Sequence, residues 1–361
     1  MPPGLGEIAL LFLKLGTIGF GGPAAHIALM EAEVVRRRRW LTHDEFLDLI
    51  SATNLIPGPN STEMAIHIGY RKAGFAGLIL AGICFILPAA AIVTAIAWAY
   101  VHYGSLPQLG IVLRTVKPII IVVVLQAMWS LGKTAIKNPL MAAIAIGSVM
   151  LNLAGVHELV VLLMAGACGA LAGRAHRISS AFFSVELLPI FLFFLKVGSI
   201  LFGSGYVLLA FLRADLVDRW HWLSSEQLLD AIAVGQVTPG PVFTTATFVG
   251  YVLAGTPGAG IATIGIFLPA FLFVALSGSL VPRIRRSPIA AAVLDGVNAG
   301  SLALMAVVTW RLLSTAIVDG PSVLIALVGI LGIFVFRLNS AWLVAGAAIA
   351  GIFFYAYTVL L

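Results

Sequence analysis

The sequence predicts an all-α polytopic membrane protein with two inverted-topology repeats. Three observations carry this prediction: an apolar composition, an internal repeat, and loop charges that change sides between the two copies. Of the 361 residues, 61% are hydrophobic and 10% are charged, against about 45–50% and about 25% in an average soluble domain. A soluble enzyme is thereby excluded, and the lack of alternating strand patterns disfavours a β-barrel.

The second half of the chain repeats the first. Residues 12–23 read FLKLGTIGFGGP, and residues 194–205 read FLKVGSILFGSG. Further matches at the same spacing, which later shortens by a single deletion, are WLTHDEFLD with WLSSEQLLD, Pro57-Gly58-Pro59 with Pro239-Gly240-Pro241, and Gly69-Tyr70 with Gly250-Tyr251. Two copies of one unit are therefore expected, at residues 1–180 and 181–361.

The loop charges give the relative orientation of the copies. Arg36–Arg39 is basic, whereas its counterpart around residues 213–219 is balanced. Residues 100–107 hold no Lys or Arg, whereas their counterpart, residues 281–288, holds three arginines. Because cytoplasmic loops carry an excess of Lys and Arg, the two copies should lie in opposite orientations.

Each copy should begin with a broken span, residues 5–35 and 187–212, followed by a helical hairpin, residues 42–70 and 224–251. Conventional apolar segments follow, at residues 75–100, 107–131, 139–153 and 158–173 and at residues 258–280, 288–310, 322–336 and 341–360. If each hairpin re-enters on one side, the count is about ten crossings with both termini outside. If the hairpin arms span instead, the count rises by about two per copy and the orientation is unchanged.

Glycine and proline interrupt the helix at two places in each copy. The first break holds Gly21, Gly22 and Pro23 and, in the second copy, Gly203, Ser204 and Gly205. The second break holds Pro57, Gly58 and Pro59 and, in the second copy, Pro239, Gly240 and Pro241. Unpaired backbone is tolerated at membrane depth only where it lines a cavity or is buried in protein. Inverted repeats with broken helices are typical of secondary transporters.

A helix that restarts after a break presents free N–H groups and the positive end of its dipole. Side chains that can cap and donate there are Asn60, Ser61, Thr62, Thr244 and Thr245. Such N-termini converging near the midplane would bind an anion. The alternative is that these glycines and prolines only allow close helix packing.

Two lysines occupy the same position in the two copies. Lys14 and Lys196 each stand two residues before the glycine that opens the broken stretch. A lysine near the bilayer centre is costly and should face a cavity, so the pair is expected to flank the anion. The alternative is that each side chain snorkels to the membrane surface.

Six further charged residues are candidates for gating or coupling: Asp48, Glu63, Arg114, Lys117, Asp230 and Asp295. Arg114 and Asp295 are repeat-related and opposite in charge, so they are predicted to pair as a gate or as a structural ion pair. Asp48 and Asp230 match each other on the hairpins, where they carry a coupling proton or lie at an interface. Glu63, just after the second break, is the other candidate proton carrier.

The sequence contains no phosphate loop, dinucleotide fingerprint, nucleophile motif or metal-ligand spacing. No cofactor and no enzymatic activity are therefore expected. The glycine-rich stretch Gly166–Gly173 permits, without requiring, a homodimer.

Several motifs resemble the chromate ion transporter (CHR) family in its long two-domain form. They are FGGP at residues 20–23, NLIPGPN at residues 54–60, FGSGYVLLAFL at residues 202–212 and VGQVTPGPVFTTATFVGY at residues 234–251. The resemblance covers essentially the whole chain. It implies a secondary transporter in the bacterial inner membrane that exports chromate, with sulfate as a structural analogue.

The residues alone indicate an inverted-repeat transporter for an anion, and the two lines of argument agree because chromate is a tetrahedral dianion. Two alternatives stay open. One is a transporter or channel for another anion such as sulfate, with chromate incidental. The other is a membrane sensor or lipid-handling protein, which would have no need of the duplicated breaks.

Overall fold

The computed structural model describes residues 3–20, 22–54, 56–103, 107–170, 187–201, 208–285, 288–336, 338 and 340–360. Helices are the only regular elements in these ranges. We call residues 1–180 the first half and residues 181–361 the second half. The helices of the first half are α1 (Leu5–Ile18), α2 (Gly22–Glu31), α3 (His43–Thr53), α4 (Asn60–Tyr103), α5 (Pro107–Ala135), α6 (Pro139–Leu153) and α7 (Glu158–Ala170).

The helices of the second half are α8 (Leu187–Ile200), α9 (Leu208–Phe211), α10 (Ser225–Val237), α11 (Thr245–Arg285), α12 (Pro288–Ala316), α13 (Gly320–Ile330) and α14 (Ser340–Leu360). Wider π-helical turns occupy Ala32–Arg37, Leu212–Arg219 and Leu331–Val335, and a 3₁₀ turn occupies Val242–Thr244. The all-α class is therefore confirmed. The predicted segments are helical wherever they are described, and 139–153 coincides with α6.

Four helical stretches within the described ranges are long and apolar enough to cross a membrane: Asn60–Tyr103, Ile111–Lys133, Val242–Ser277 and Asp295–Ala316. Shorter apolar helices lie at Pro139–Leu153, Leu187–Ile200, Gly320–Val335 and Trp342–Phe353. On α4, Phe75, Ile79, Ile83 and Leu87 recur every four residues and are all exposed. Such an apolar stripe suits contact with lipid, because it would be unfavourable against water.

The same local geometry occurs at matching positions of the two halves. Thr42 caps α3 and Ser224 caps α10, each through a reciprocal capping box. The long helix α4 turns sharply at Ala73 and Gly74, and α11 turns in the same way at Ala254 and Gly255. Each long helix is thus a short arm followed by a long one, which matches the predicted hairpin and the span after it.

The helices that flank the breaks pack on one another within each half and between the halves. Helix α1 packs on α4, α8 packs on α11, and α4 packs on α11, which joins the two halves. A Cβ atom on Gly16 would lie 2.5 Å from the carbonyl oxygen of Phe85, so α1 approaches α4 closely. Helix α12 packs on α5, α6 and α7, and α14 packs on α5, so the later helices of the two halves also pack against each other.

Candidate functional site

The Pro-Gly-Pro break of each half contacts the C-terminal end of the first helix of the other half. The backbone N–H of Gly58 donates to the carbonyl oxygen of Leu201 at 2.6 Å, and the backbone N–H of Gly240 donates to the carbonyl oxygen of Gly19 at 2.8 Å. His26 Nε2 also lies 2.8 Å from the Gly19 oxygen. Each Pro-Gly-Pro segment therefore satisfies a carbonyl at the end of α1 or α8 across the interface. We call these two hydrogen bonds the crossed breaks.

Both central glycines adopt backbone geometry that other residues avoid. Gly58 has a φ of 137° and Gly240 has a φ of 94°, values that only glycine adopts readily. A Cβ atom on Gly240 would lie 2.8 Å from the Cβ of Ala89, and one on Gly58 would overlap the carboxylate of Glu63. The sequence motif thus has a local reason, because the crossed breaks require glycine at both positions.

The first turn of α4 gathers polar groups beside the Gly58 loop. The backbone N–H groups of Thr62 and Glu63 donate to the carbonyl oxygen of Pro59 at 2.8 and 3.0 Å. Asn60 Nδ2 donates to Asn54 Oδ1 at 3.0 Å. In this turn, Asn60 Oδ1, Thr62 Oγ1 and both carboxylate oxygens of Glu63 are buried and have no hydrogen-bond partner among the described residues. Such a cluster points to a missing polar partner, since buried polar groups are normally paired.

The equivalent turn in the second half is more self-contained. Thr244 donates its hydroxyl to the carbonyl oxygen of Pro241 at 2.8 Å, and Thr245 donates to that of Val242 at 2.8 Å. Both hydroxyl protons are used on the backbone in this conformation, and donation by Thr244 and Thr245 to a ligand stays a prediction. The remaining predicted donor, Ser61, is buried in the first turn of α4.

The two repeat-related lysines each bind a carboxylate that sequence reasoning missed. Lys14 Nζ lies 2.8 Å from Glu33 Oε1, and Lys196 Nζ lies 2.5 Å from Asp215 Oδ2. Arg37 and Arg219 bind the same two carboxylates from one turn later. Glu33 and Asp215 are acids at matching positions of the repeat. That match is the sequence feature from which the two lysine–carboxylate pairs could have been predicted. Each cluster has more cations than acids, so the lysines are paired groups within a net positive cluster.

A buried ion pair connects the two halves away from the crossed breaks. Lys117 Nζ on α5 lies 3.5 Å from Asp230 Oδ1 on α10, and their side chains are 13% and 5% exposed. Tyr100 at the end of α4 donates its hydroxyl to Asp230 Oδ2 at 2.9 Å. Breaking such a pair from one side leaves a buried charge without compensation. Two residues predicted separately as gating candidates therefore form one unit.

The predicted pairing of Arg114 with Asp295 is wrong. Arg114 instead binds Asp319, the N-cap of α13, and Lys137 Nζ binds Asp295 Oδ1 at 2.7 Å. The backbone N–H of Ser322 lowers the pKa of the Asp319 carboxyl, with Arg114 adding a smaller effect. Arg114 on α5 and Asp295 on α12 thus each bind a residue in a loop of the opposite half, and not each other.

The remaining candidates are separated or lie outside the described residues. Asp48 is on an exposed part of α3, unlike its buried counterpart Asp230. Gly22 and Pro23 open α2. The predicted residues Gly21, Gly203, Ser204 and Gly205 lie outside the described residues.

Comparisons with known proteins agree on one family. The chromate transporter family model matches the chain twice, at residues 6–170 and 188–352. The chromate transport protein of Cupriavidus metallidurans is 32% identical over 97% of this chain and 93% of its own length. A probable chromate transport protein of Synechococcus elongatus is 30% identical over 98% and 96%, and the chromate transport protein of Pseudomonas aeruginosa is 30% identical over 88% and 83%. No solved structure matches the chain.

Proposed function

Since the chain belongs to the chromate transporter family and is a multi-pass bacterial membrane transport protein, we propose that it exports chromate from the cytoplasm as a secondary transporter. Relatives named for chromate transport match nearly its whole length. Export of a dianion from a cell that is negative inside is electrically downhill by about 2.3 kcal/mol per charge per 100 mV. A nucleotide-driven motor is therefore not required.

The architecture we propose is two inverted repeats, residues 1–180 and 181–361, with about ten crossings and two re-entrant hairpins. The opposite loop charges support it. So do the caps, kinks and lysine–carboxylate clusters that recur at matching positions of the two halves. In such a transporter one repeat rocks against the other around a fixed site.

We place the anion at the crossed breaks, and the pair of backbone hydrogen bonds between the halves is the observation that carries this assignment. Any movement of one half against the other must alter these bonds, so a ligand held there is exposed alternately to the two sides. The first turn of α4 offers the Thr62 hydroxyl, which has no hydrogen-bond partner among the described residues, and the second N–H of the Asn60 amide, whose first is used on Asn54. The net positive clusters around Lys14 and Lys196 attract the dianion.

Two groups are proposed to move with the transport cycle. The Lys117–Asp230 pair opens as the halves rock, because its partners belong to different halves. Burying a charged carboxylate without a cation is costly, so Glu63 would carry a proton while it is buried beside Gly58. Because Glu63 lies beside Gly58, binding or release of its proton would be coupled to the movement that alters the crossed breaks.

The direction of transport is tested in cells. The protein is expressed in a chromate-sensitive bacterium, and cell-associated chromium is measured after exposure, beside an equally expressed Gly58→Ala variant. Export predicts lower chromium and better growth than with the variant. Higher chromium would indicate uptake and overturn the proposed direction. Unchanged chromium together with altered sulfate content would favour the alternative of a sulfate transporter.

A further inference from the structure

The turn that precedes α7 in the first half contacts the π-helical turn Leu212–Arg219 of the second half. Arg219 Nη1 donates to His157 Nε2, at 3.1 Å, across the boundary between the halves. Arg219 also binds Asp215, which is the partner of Lys196. The positive cluster around Lys196 is therefore tied to the opposite half of the chain.

Four charged side chains line one small cavity at the same boundary. They are two acids and two bases, so their charges balance: Glu158, Arg213, Asp218 and Arg311. Arg311 Nη1 donates to Asp218 Oδ2 at 3.0 Å, and Arg213 Nη2 lies 3.5 Å from Asp218 Oδ1. Glu158 belongs to the first half, where Asn152 donates to its Oε1 at 3.4 Å. We call these four charged residues the four-charge cluster.

Glu158 and Arg213 both keep buried atoms without a hydrogen-bond partner in the described part of the chain. These atoms are Glu158 Oε2 and Arg213 Nε and Nη1. His157 Nδ1 lies 3.5 Å from Glu158 Oε2 without donating to it. The cavity that Glu158 and Arg213 share measures about 10 Å³, which has room for about one water molecule. A water there would accept from Arg213 and donate to Glu158, and would satisfy groups whose burial without a partner is costly.

The sequence does not repeat this link in the other half. The counterparts of Arg213 and Asp218 are Glu31 and Arg36, which form an ion pair with the charges exchanged, and the arginine side chain is 73% exposed. The counterpart of the turn before α7 lies between α13 and α14, and residues 331–339 contain no acid. Because the repeated unit forms without a charged link there, the link is specific to one side of the protein.

The loop charges assign that side to the outside of the cell. Residues 152–156 carry no charge, whereas the first-half turn that ends in Arg36–Arg39 is strongly basic and is expected in the cytoplasm. In the proposed inverted architecture, the turn before α7 and Leu212–Arg219 both face outwards. Arg213 and Arg311 also line an open pocket of about 560 Å³, so the four-charge cluster bounds both that pocket and the enclosed cavity.

We propose that Glu158 and Arg213, bridged by one water and supported by Asp218 and Arg311, form an outer gate that is closed in this conformation. The gate opens when the halves rock, because Glu158 moves with the first half and Arg213 with the second. This transport role rests on the proposed function. Glu158 and Arg213 act as positioning residues, since they hold the two halves together and do not bind the anion.

The reactivity of a cysteine inside the gate tests this proposal. Val307 lines the cavity and is 4% exposed. We place Val307→Cys in a full-length chain in which Cys84 and Cys168 are replaced by alanine. A membrane-impermeant maleimide added to spheroplasts should label this cysteine slowly from outside. Faster labelling in inside-out vesicles than in spheroplasts would overturn the outer placement of the gate.

Substitutions at the two ends of the bridge should open the gate. Glu158→Gln and Arg213→Gln should each raise the labelling rate about tenfold, and the double variant should raise it no further, because each substitution removes the same link. Arg71→Gln, which breaks the exposed pair with Glu45 on another surface, is the matched control and should change nothing. Unchanged labelling in both single variants, or multiplied effects in the double variant, would overturn the gate.

Two further measurements separate a gate from unfolding and from a merely structural link. In variants that keep Cys84 as their only cysteine, this buried thiol should stay unlabelled. In nanodiscs, sulfate but not chloride should change the labelling rate of Val307→Cys by about twofold or more, since a transported anion shifts the population of open states. No response to sulfate in a preparation that shows chromate counterflow would overturn the gate alone. Absent counterflow with coupled labelling would overturn the proposed function and uphold the contact between the halves.

Discussion

The backbone N–H of Gly58 donates to the carbonyl oxygen of Leu201 at 2.6 Å, which links the second break of the first half to the end of α8 in the second half. The equivalent bond from Gly240 to Gly19 is 2.8 Å long. Each Pro-Gly-Pro break is therefore joined to the end of the first helix of the opposite half. The predictions below concern this structure and the ion pairs around it.

Replacing either central glycine should disable transport. Gly58→Ala and Gly240→Ala force a side chain into a backbone conformation reserved for glycine, at a cost of about 1–3 kcal/mol, and into contact with Glu63 or Ala89. We expect a lower melting temperature of the purified protein and at least a tenfold loss of chromate flux. Gly147→Ala on α6, where a Cβ has open space, is the control and should retain both.

Substitution of Lys14 or Lys196 should impair transport more than it impairs folding. In Lys14→Ala and Lys196→Ala, the carboxylates of Glu33 and Asp215 keep an arginine partner, so the fold is expected to persist. Loss of one nearby positive charge should raise the KM for chromate by about tenfold, which corresponds to about 1.4 kcal/mol. Lys72→Ala serves as the control, and unchanged kinetics in both cluster variants would remove them from the anion path.

The buried pair of Lys117 and Asp230 should behave as a unit. Lys117→Ala leaves the Asp230 carboxylate buried without its cation, and we expect a destabilisation of about 3–5 kcal/mol. Lys117→Met combined with Asp230→Leu should recover much of that stability, because no charge stays buried, while transport stays impaired. Thermal melting and flux of Lys117→Met, Asp230→Leu and the double variant measure the coupling. Additive losses in stability would contradict the pairing.

The observed ion pairs of Arg114 with Asp319 and of Asp295 with Lys137 lead to a separate prediction. Arg114→Ala and Asp319→Ala should be non-additive, with a coupling energy of up to about 1 kcal/mol because the pair is partly exposed. Arg114→Ala and Asp295→Ala should be additive, since each has a different partner. Double-mutant cycles on the free energy of unfolding separate the two cases.

Glu63→Gln tests the proposed proton coupling. Glutamine is close in shape to a protonated glutamate, so the variant should fold and exchange anions at equal pH on both sides. An imposed pH gradient should no longer change its chromate flux, whereas Glu7→Gln on the exposed side of α1 should respond as the unchanged protein does. A normal response of Glu63→Gln to the gradient would exclude Glu63 as the proton carrier.

The sequence is sufficient to predict the helical class, most helix boundaries and the Pro-Gly-Pro break of each half, because apolar runs, glycine and proline report on local structure. The sequence does not predict which charged residues tertiary packing brings into contact. Arg114 was matched with Asp295 through the repeat, yet both bind residues in loops of the opposite half. Glu33 and Asp215 were overlooked because an acid beside a basic cluster reads as surface charge. The cross-half bond of Gly58 involves only backbone atoms, which side-chain patterns do not specify.

The central claim is that this protein carries tetrahedral oxyanions through alternating exposure of the crossed breaks. Counterflow in proteoliposomes tests it most directly: vesicles are loaded with sulfate, and uptake of labelled chromate is followed. We predict transient, sulfate-dependent accumulation of chromate that Gly147→Ala retains and Gly58→Ala loses. Folded and inserted protein that gives no sulfate-dependent uptake, or equal counterflow by Gly58→Ala, would contradict the account.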